Sequence, residues 1–283
     1  MSVFRGTDPE DRDEFIRLIR GYYSHGKRSM PWRDKITPYR VVVSEVMLQQ
    51  TQVSRVKEKF EPFIRCFPDF STLSLVSLAE VMKEWQGLGY NRRAKYLHAI
   101  AIHVMESWNG ILPHDPDVIL SLPGIGKATA GSITAFAFNI PVVFIETNIR
   151  RVFIHHFFEG ADPVSDAQIL PLIELTLDHL NPRDWYYALM DYGSWLAGRM
   201  PNPNRRSRQY SRQSVFEGSD RQIRGRIMKR LVSETSCPFD LLIGEAGGER
   251  SRGTAILSGM IQEGLLCESE GHIRITDFYR KIL

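Results

Sequence analysis

Along most of the first two hundred residues, apolar positions return every three or four residues, the period of a helix face. In "DPEDRDEFIRLIRGYYSHG", Phe15, Ile16, Leu18 and Ile19 line one side behind a cap-like Asp8-Pro9. "TPYRVVVSEVMLQQT" opens with Thr37 as an N-cap and Pro38 at the first helical position. Its β-branched triplet, Val41 to Val43, is a weak helix signal, but Met47 and Leu48 continue the apolar face. The same period predicts helices in "VSRVKEKFEPFIRCF", "SLAEVMKEWQG", "RRAKYLHAIAIHVMESW", "DAQILPLIELTLDHL" and "DWYYALMDYGSWLA". No period-two alternation here is long enough for a sheet, so the body is mainly α.

The pattern breaks at "GRMPNPNRRSRQYSRQ", Gly198 to Gln213, whose prolines, asparagines and arginines suit a loop. Beyond it, "SDRQIRGRIMKRLVSE" reads as a helix capped by Ser219, and "PFDLLIGEA" and "RSRGTAILSGMIQEG" as two more. "LLCES" and "HIRITD" are short strands around the turn "EGH". Three helices and a small hairpin give the order of a winged-helix unit. The expected division is a helical domain over 1–197, a basic loop over 198–216 and a small winged-helix-like domain over 217–283.

Composition narrows the class. The chain has 283 residues, 43% of them hydrophobic, which suits a globular protein of one large or two ordinary domains. No stretch is apolar enough to span a bilayer, and the charged N-terminus has no apolar signal core, so a cytosolic protein is expected. Cys66, Cys237 and Cys267 lie too far apart for a disulfide framework or a metal motif. The net charge is +3, unevenly spread: Arg199 to Arg230 holds ten Lys/Arg against Glu217 and Asp220. A local basic stripe on a near-neutral chain fits a polyanion partner or a solvated linker.

"DPDVILSLPGIGKATAGSITAFAF" reads as a short helix, a break and a second helix beginning at Lys127. Gly124 and Gly126 leave the break bare, so its N–H groups and the following helix N-terminus make an anion site. That arrangement fits phosphate binding without sequence readout; the alternative is a tight corner whose glycines serve sterics alone. Glu146 ends an apolar run in "VVFIETNIRRVF", an expensive place for a carboxylate without a use. On the residues alone it reads as a helix-capping acid, and Glu45 as an exposed helix residue.

The hairpin and "FIETNIRRV" together resemble the helix-hairpin-helix DNA glycosylase superfamily. Three blocks narrow the likeness. "MPWRDKITPYRVVVSEVMLQQTQV" resembles the N-terminal active-site block of MutY-type adenine glycosylases. "WQGLGYNRRAKYLH" is similar to that family's wedge region, and "YYALMDYGSWLA" to the helix before its iron–sulfur cluster. The likeness covers Phe15 to about Gln213.

The resemblance implies two helical subdomains with a base pocket, and hydrolysis of the glycosidic bond of a nucleotide flipped out of a mismatched or oxidised pair in double-stranded DNA. Adenine opposite 8-oxoguanine or guanine is the implied substrate. The alternatives are thymine or uracil opposite guanine, and a DNA-binding homologue without activity. Carried over by position, Glu45 is the general acid, Glu146 the carboxylate facing the sugar and Asn148 its support. Trp32 and Arg33 fall in the pocket block, Gln50 is inserted at the estranged base, and Tyr90 is the wedge. Gly124, Gly126, Lys127, Arg205 and Arg206 are expected at DNA phosphates. A monomer is expected, cytoplasmic and nucleoid-associated.

Four departures qualify that picture. Glu146 stands where the family has Asp, one methylene or roughly 1.5 Å longer. The cluster pattern Cys-x6-Cys-x2-Cys-x5-Cys falls on Ala197, Asn204, Ser207 and Gln213, so no iron–sulfur cluster is expected. Metal and small-molecule cofactors are likewise not expected, a monovalent cation at the hairpin carbonyls excepted. Ala128 stands where bifunctional relatives carry a Schiff-base lysine, which predicts a monofunctional enzyme. The winged-helix-like tail stands in place of the family's Nudix-like domain.

Overall fold

The computed structural model describes residues 8–246 and 250–276. Its first helices are α1 (Pro9–Gly26), α2 (Pro31–Asp34), α3 (Pro38–Leu48), α4 (Val53–Cys66), α5 (Phe70–Leu75), α6 (Leu78–Trp85) and α7 (Arg92–Trp108). They are followed by α8 (Pro116–Leu120), α9 (Lys127–Phe138), α10 (Thr147–Phe157), α11 (Asp166–Thr176) and α12 (Pro182–Ala197). A 3-10 turn, Pro203–Arg206, precedes α13 (Asp220–Glu234), β1 (Ser236–Pro238), α14 (Phe239–Ala246), α15 (Arg250–Gln262), β2 (Leu266–Ser269) and β3 (His272–Ile275). The strands form one antiparallel sheet in the order β1-β3-β2. Among the described residues no helix is long and apolar enough to cross a membrane.

The expected helices form where the period placed them. The Val41–Val43 triplet lies inside α3, where burial of all three side chains outweighs the modest helix penalty of β-branching. The tail has the expected order of three helices and a hairpin, plus one edge strand, β1, too short to show a period.

The contacts group the chain differently from the expected linear division. One compact unit takes residues 8–41, 114–121 and 125–212; the other takes 42–113, 122–124 and the tail from 213. Residue 217 is therefore not a boundary between units. The tail is tied to its unit by charge and packing. Glu263, just after α15, accepts from Arg92 at 2.5 Å and from Arg224, and its carbonyl takes the Lys95 ammonium at 2.5 Å. α13 also packs on α6.

In the first unit α12 is the central helix, packed on α1, α9 and α10. Phe15 and Ile19 of α1 are fully buried, and the Phe15 ring meets Phe153 at 5.3 Å and Trp185 at 6.2 Å. The α10–α12 crossing is close because Gly193 has no side chain: a Cβ there would lie 2.6 Å from the Asn148 carbonyl oxygen. Gly193→Ala is accordingly expected to cost about 1–3 kcal/mol, read as a lower denaturation midpoint, by forcing the head of α10 away.

Candidate functional site

Glu146 is the N-cap of α10. The backbone arrives extended, and the side chain folds back so that Oε1 accepts from the N–H of Asn148 at 2.7 Å and of Ile149 at 2.8 Å. Oε2 accepts from Asn148 Nδ2 at 3.2 Å. The Asn148 amide is held in that orientation because its Oδ1 takes Arg151 Nη1 at 2.7 Å; the same nitrogen donates to the Gly193 carbonyl at 2.8 Å. Burial pushes the Glu146 carboxyl above its ordinary range, against the pull of the two backbone N–H groups and of Arg151 and Arg150.

The capping acid inferred from the residues is therefore what the structure shows, and capping does not exhaust the group. One oxygen is fixed by the helix N-terminus; the other has a single longer bond and spare acceptor capacity. Such a carboxylate is pre-oriented to face positive charge that develops beside it.

The other pocket-block residues of this unit are inward. Trp32 is buried. Arg33 grips the fully buried Asp191 with both terminal nitrogens, at 2.9 and 3.0 Å, and stacks 4.1 Å from the Tyr187 ring centroid. Arg28 shares Asp191 at 2.7 Å. Arg33 and Asp191 thus brace α2 against α12. Sequence reasoning missed Asp191 because nothing in "LMDYG" distinguishes it from a surface acid.

The second unit brings Gln50 and Tyr90 together. Both have left-handed backbones, φ 54° and 47°, a cost that non-glycine residues bear mainly where the surroundings impose it. Arg93 imposes it. Its guanidinium is almost fully buried, and Nη1 donates to the carbonyls of Val46, Met47 and Gln49 at 2.9, 2.7 and 2.6 Å. Its Nη2 donates to Thr51 Oγ1 at 2.9 Å and to the Leu88 and Gly89 carbonyls at 3.2 and 3.0 Å. One cation thereby satisfies the open C-terminus of α3 and the Gly87–Tyr90 turn together. Gln50 and Tyr90 then line one cavity of about 370 Å³ with Gly124. Glu45 lies on α3, half-buried, five residues before Gln50. Arg93 was not singled out from the sequence, since "NRRAK" offers two arginines and no signal that one turns inward.

The hairpin has the expected order. Asp115 caps α8 by accepting from the Asp117 N–H at 2.9 Å, and α9 begins at Lys127. The two glycines differ in kind. Gly124 has φ 74°, and a Cβ there would sit 2.2 Å from the Tyr96 ring, so the fold requires it. Gly126 is extended, at φ −96°, with open space where a Cβ would be. The fold does not need a glycine at 126, and a partner approaching the N-terminus of α9 would. Lys127 and Arg205 are exposed. Arg206 corrects an expectation: instead of facing outward it caps the C-terminal end of α10, donating to the carbonyls of Phe158 and, at 3.2 Å, Ile154.

Comparison with known proteins fits this geometry. Residues 43–169 match the HhH-GPD superfamily of base excision DNA repair proteins. The adenine DNA glycosylase of Mycolicibacterium smegmatis is 33% identical over 233 residues, 76% of this chain and 79% of that one. This chain belongs to the adenine DNA glycosylase family. The adenine DNA glycosylase of Buchnera aphidicola subsp. Baizongia pistaciae is 36% identical over 187 residues, 64% of this chain; there the chain spans only 52% of the relative's length. Among solved structures, a thermostable thymine-DNA glycosylase superposes with a TM-score of 0.60 at 25% identity, covering 68% of this chain and 90% of that one.

As an adenine DNA glycosylase family member, the chain has an unusual segment after α12. At the four cluster positions, Ala197 ends α12, and Asn204 is buried with Nδ2 donating to the Thr147 carbonyl at 2.9 Å. Ser207 pairs with Val164 as a β-bridge, and Gln213 Nε2 donates to the Tyr90 hydroxyl. An alkyl group, an amide, a hydroxyl and a second amide do not fit an iron–sulfur cluster, whose irons take thiolates. Asn204 instead ties the segment to the residue beside Glu146.

Proposed function

We propose that this glycosylase hydrolyses the N-glycosidic bond of an adenine flipped from double-stranded DNA, where it lies opposite 8-oxoguanine or guanine. The observation that carries the reading is the oriented Glu146 carboxylate at the head of α10, in a chain one-third identical to an adenine DNA glycosylase over three-quarters of its length. Glu45 protonates the leaving base as the C1′–N bond breaks. The electron pair leaves with adenine, and the Glu146 carboxylate faces the oxocarbenium-like sugar. Water then adds its oxygen to C1′ and passes a proton to the Glu45 carboxylate, which restores the acid and leaves an abasic site and free adenine.

Gln50 and Tyr90 enter the stack the base vacates. The bare N-terminus of α9, with Gly126 and Lys127, and the exposed Arg205 hold backbone phosphates. Ala128 offers no amine for a Schiff base, so the enzyme releases the base without cutting the strand. On this reading the enzyme works in the cytoplasm with the nucleoid, and as a monomer. The polar ties of Asn204, Arg206 and Ser207 take over the ordering of the post-α12 segment. The purified protein is therefore expected to contain far less than one iron per chain by elemental analysis; four irons per chain would contradict that.

The likeness to a thymine-DNA glycosylase and the Glu at position 146 favour, as a second reading, the same chemistry on thymine or uracil opposite guanine. Single-turnover incubation with A·8-oxoG, A·G, T·G and U·G duplexes, followed by heat and alkali, separates the two. The adenine reading predicts cleavage of the first two; cleavage confined to the last two would replace it.

A further inference from the structure

The first unit holds a second cavity, of about 190 Å³, where the C-terminal end of α9 meets the start of α12. Lys27, Arg33, Asn139, Arg183, Asp184 and Tyr187 are on its walls. α9 is 12 residues long, so this end lies about 18 Å along the helix from Lys127 and the hairpin. The volume is below that of a site for a drug-sized ligand and above that of one water.

Charge at this cavity is out of balance. Four cations, Lys27, Arg28, Arg33 and Arg183, stand in or beside the wall against two carboxylates, Asp184 and Asp191. Asp191 is taken by Arg28 and Arg33 together. Lys27 is exposed, 5.3 Å from the Tyr23 ring centroid, and among the described residues its ammonium has no hydrogen bond or ion pair. Arg183 is fixed by one edge: Nε donates to the Phe136 carbonyl at 2.7 Å and Nη2 to that of Ala137 at 3.2 Å. Its Nη1 makes no hydrogen bond among the described residues, and no carboxylate offsets its charge. The Arg33 side chain is only 7% exposed, yet its Nε is buried without a partner. Asp184 is exposed and accepts from the Tyr23 hydroxyl at 3.5 Å. The N-cap Asn181 makes no capping hydrogen bond, so the positive end of the 16-residue α12 adds to the same field.

These groups do not serve the brace between α2 and α12, which Arg33 and Asp191 already supply. Lys27, Arg183 and Asn181 bring donors from separate points of the wall. Such a set suits a tetrahedral oxyanion, which offers acceptors in every direction; a carboxylate offers two in one plane.

We propose that this cavity binds a small phosphate-type dianion, either inorganic phosphate or a compact phosphomonoester, apart from the DNA phosphates at the hairpin. Bound there, the anion ties α1, α9 and α12 together in the unit that carries Glu146. The inference holds whichever base the enzyme releases.

The test is calorimetric titration of the full chain with inorganic phosphate, at ionic strength held constant with chloride. Wild type is expected to show saturable binding with a Kd of about 1 mM or tighter, the strength of two or three charge-assisted hydrogen bonds. Lys27→Glu, which removes no hydrogen bond, should weaken it about tenfold, and Asp184→Asn should tighten it about threefold. A general salt effect or a loss of fold cannot move the two variants in opposite directions. Lys127→Ala, at the hairpin, should leave the affinity unchanged. Glycerol 3-phosphate tells the two sources apart: tighter binding than inorganic phosphate assigns the site to a phosphomonoester, weaker binding to the free ion, and either order supports a dianion site. Absence of saturable binding by wild type overturns the proposal. So does binding that survives Lys27→Glu but is lost in Lys127→Ala, or an Asp184→Asn affinity no higher than that of wild type.

Discussion

Glu146→Gln is expected to slow single-turnover base release by about 10²-fold or more while leaving the fold intact. Gln keeps a carbonyl oxygen for the Asn148 and Ile149 N–H groups but removes the charge that faces the sugar cation, a loss of the size seen when one preorganised electrostatic partner is deleted. The pH dependence carries a second signature. Burial raises the Glu146 carboxyl above its ordinary 4.5, so the rate should fall with acid at a midpoint above that value, and the Gln variant should lack this limb. The same shift sets the sign for stability. A raised pKa in the folded state means that folding favours the protonated form, so its stabilisation is full below 4.5 and is lost as pH rises through the raised pKa. Near neutral pH the buried charge is a cost, and the denaturation midpoint of Glu146→Gln is expected to equal or exceed that of wild type. Unchanged base release in the variant would remove Glu146 from the chemistry and leave it a helix cap.

Arg93→Ala is expected to be the most destabilising single change in the second unit, about 3–5 kcal/mol by chemical denaturation. Five carbonyls and the Thr51 hydroxyl lose their donor at once, and buried acceptors without partners are costly. Arg93→Lys should fall between, because one ammonium cannot span both the α3 terminus and the Gly87–Tyr90 turn. Where the variants remain folded, they should lose duplex affinity as Gln50 and Tyr90 relax from their left-handed backbones. A loss below about 1 kcal/mol for Arg93→Ala would show that the two loops hold their shape without it.

The helices were legible because each has a long apolar period and most have a chemical start: Asp8-Pro9, Asp115-Pro116 and Ser219 all cap the helices expected of them. Three short elements, α2, α5 and β1, were not. Phe70–Leu75 is six residues, less than two turns, and its clearest local mark is the Asp69 side chain accepting from Thr72. The assignment of separate chain segments to each unit was illegible for a different reason. It depends on which apolar faces meet, and a single sequence carries no record of pairing. Of the candidate site, the residues with a positional signature were found: Glu45 and Gln50 in the "SEVMLQQ" block, Tyr90 in a Gly-rich turn, Glu146 at the end of an apolar run. The arginines were mis-sorted in both directions. Arg206, expected at a DNA phosphate, caps a helix end, while Arg93 and Arg221, which carry no distinguishing mark in the sequence, line the cavity. A guanidinium in sequence says only that charge is present. Whether it meets carbonyls, a carboxylate or an open wall is decided by contacts far along the chain.

The most direct test of the central claim is the amount of free adenine released per A·8-oxoG duplex under single-turnover conditions, identified by mass, for wild type and Glu146→Gln side by side. The account predicts one adenine per duplex from wild type, with the strand left unbroken until alkali is added, and little or none from the variant in the same time. Tight binding by wild type with no adenine released would contradict it.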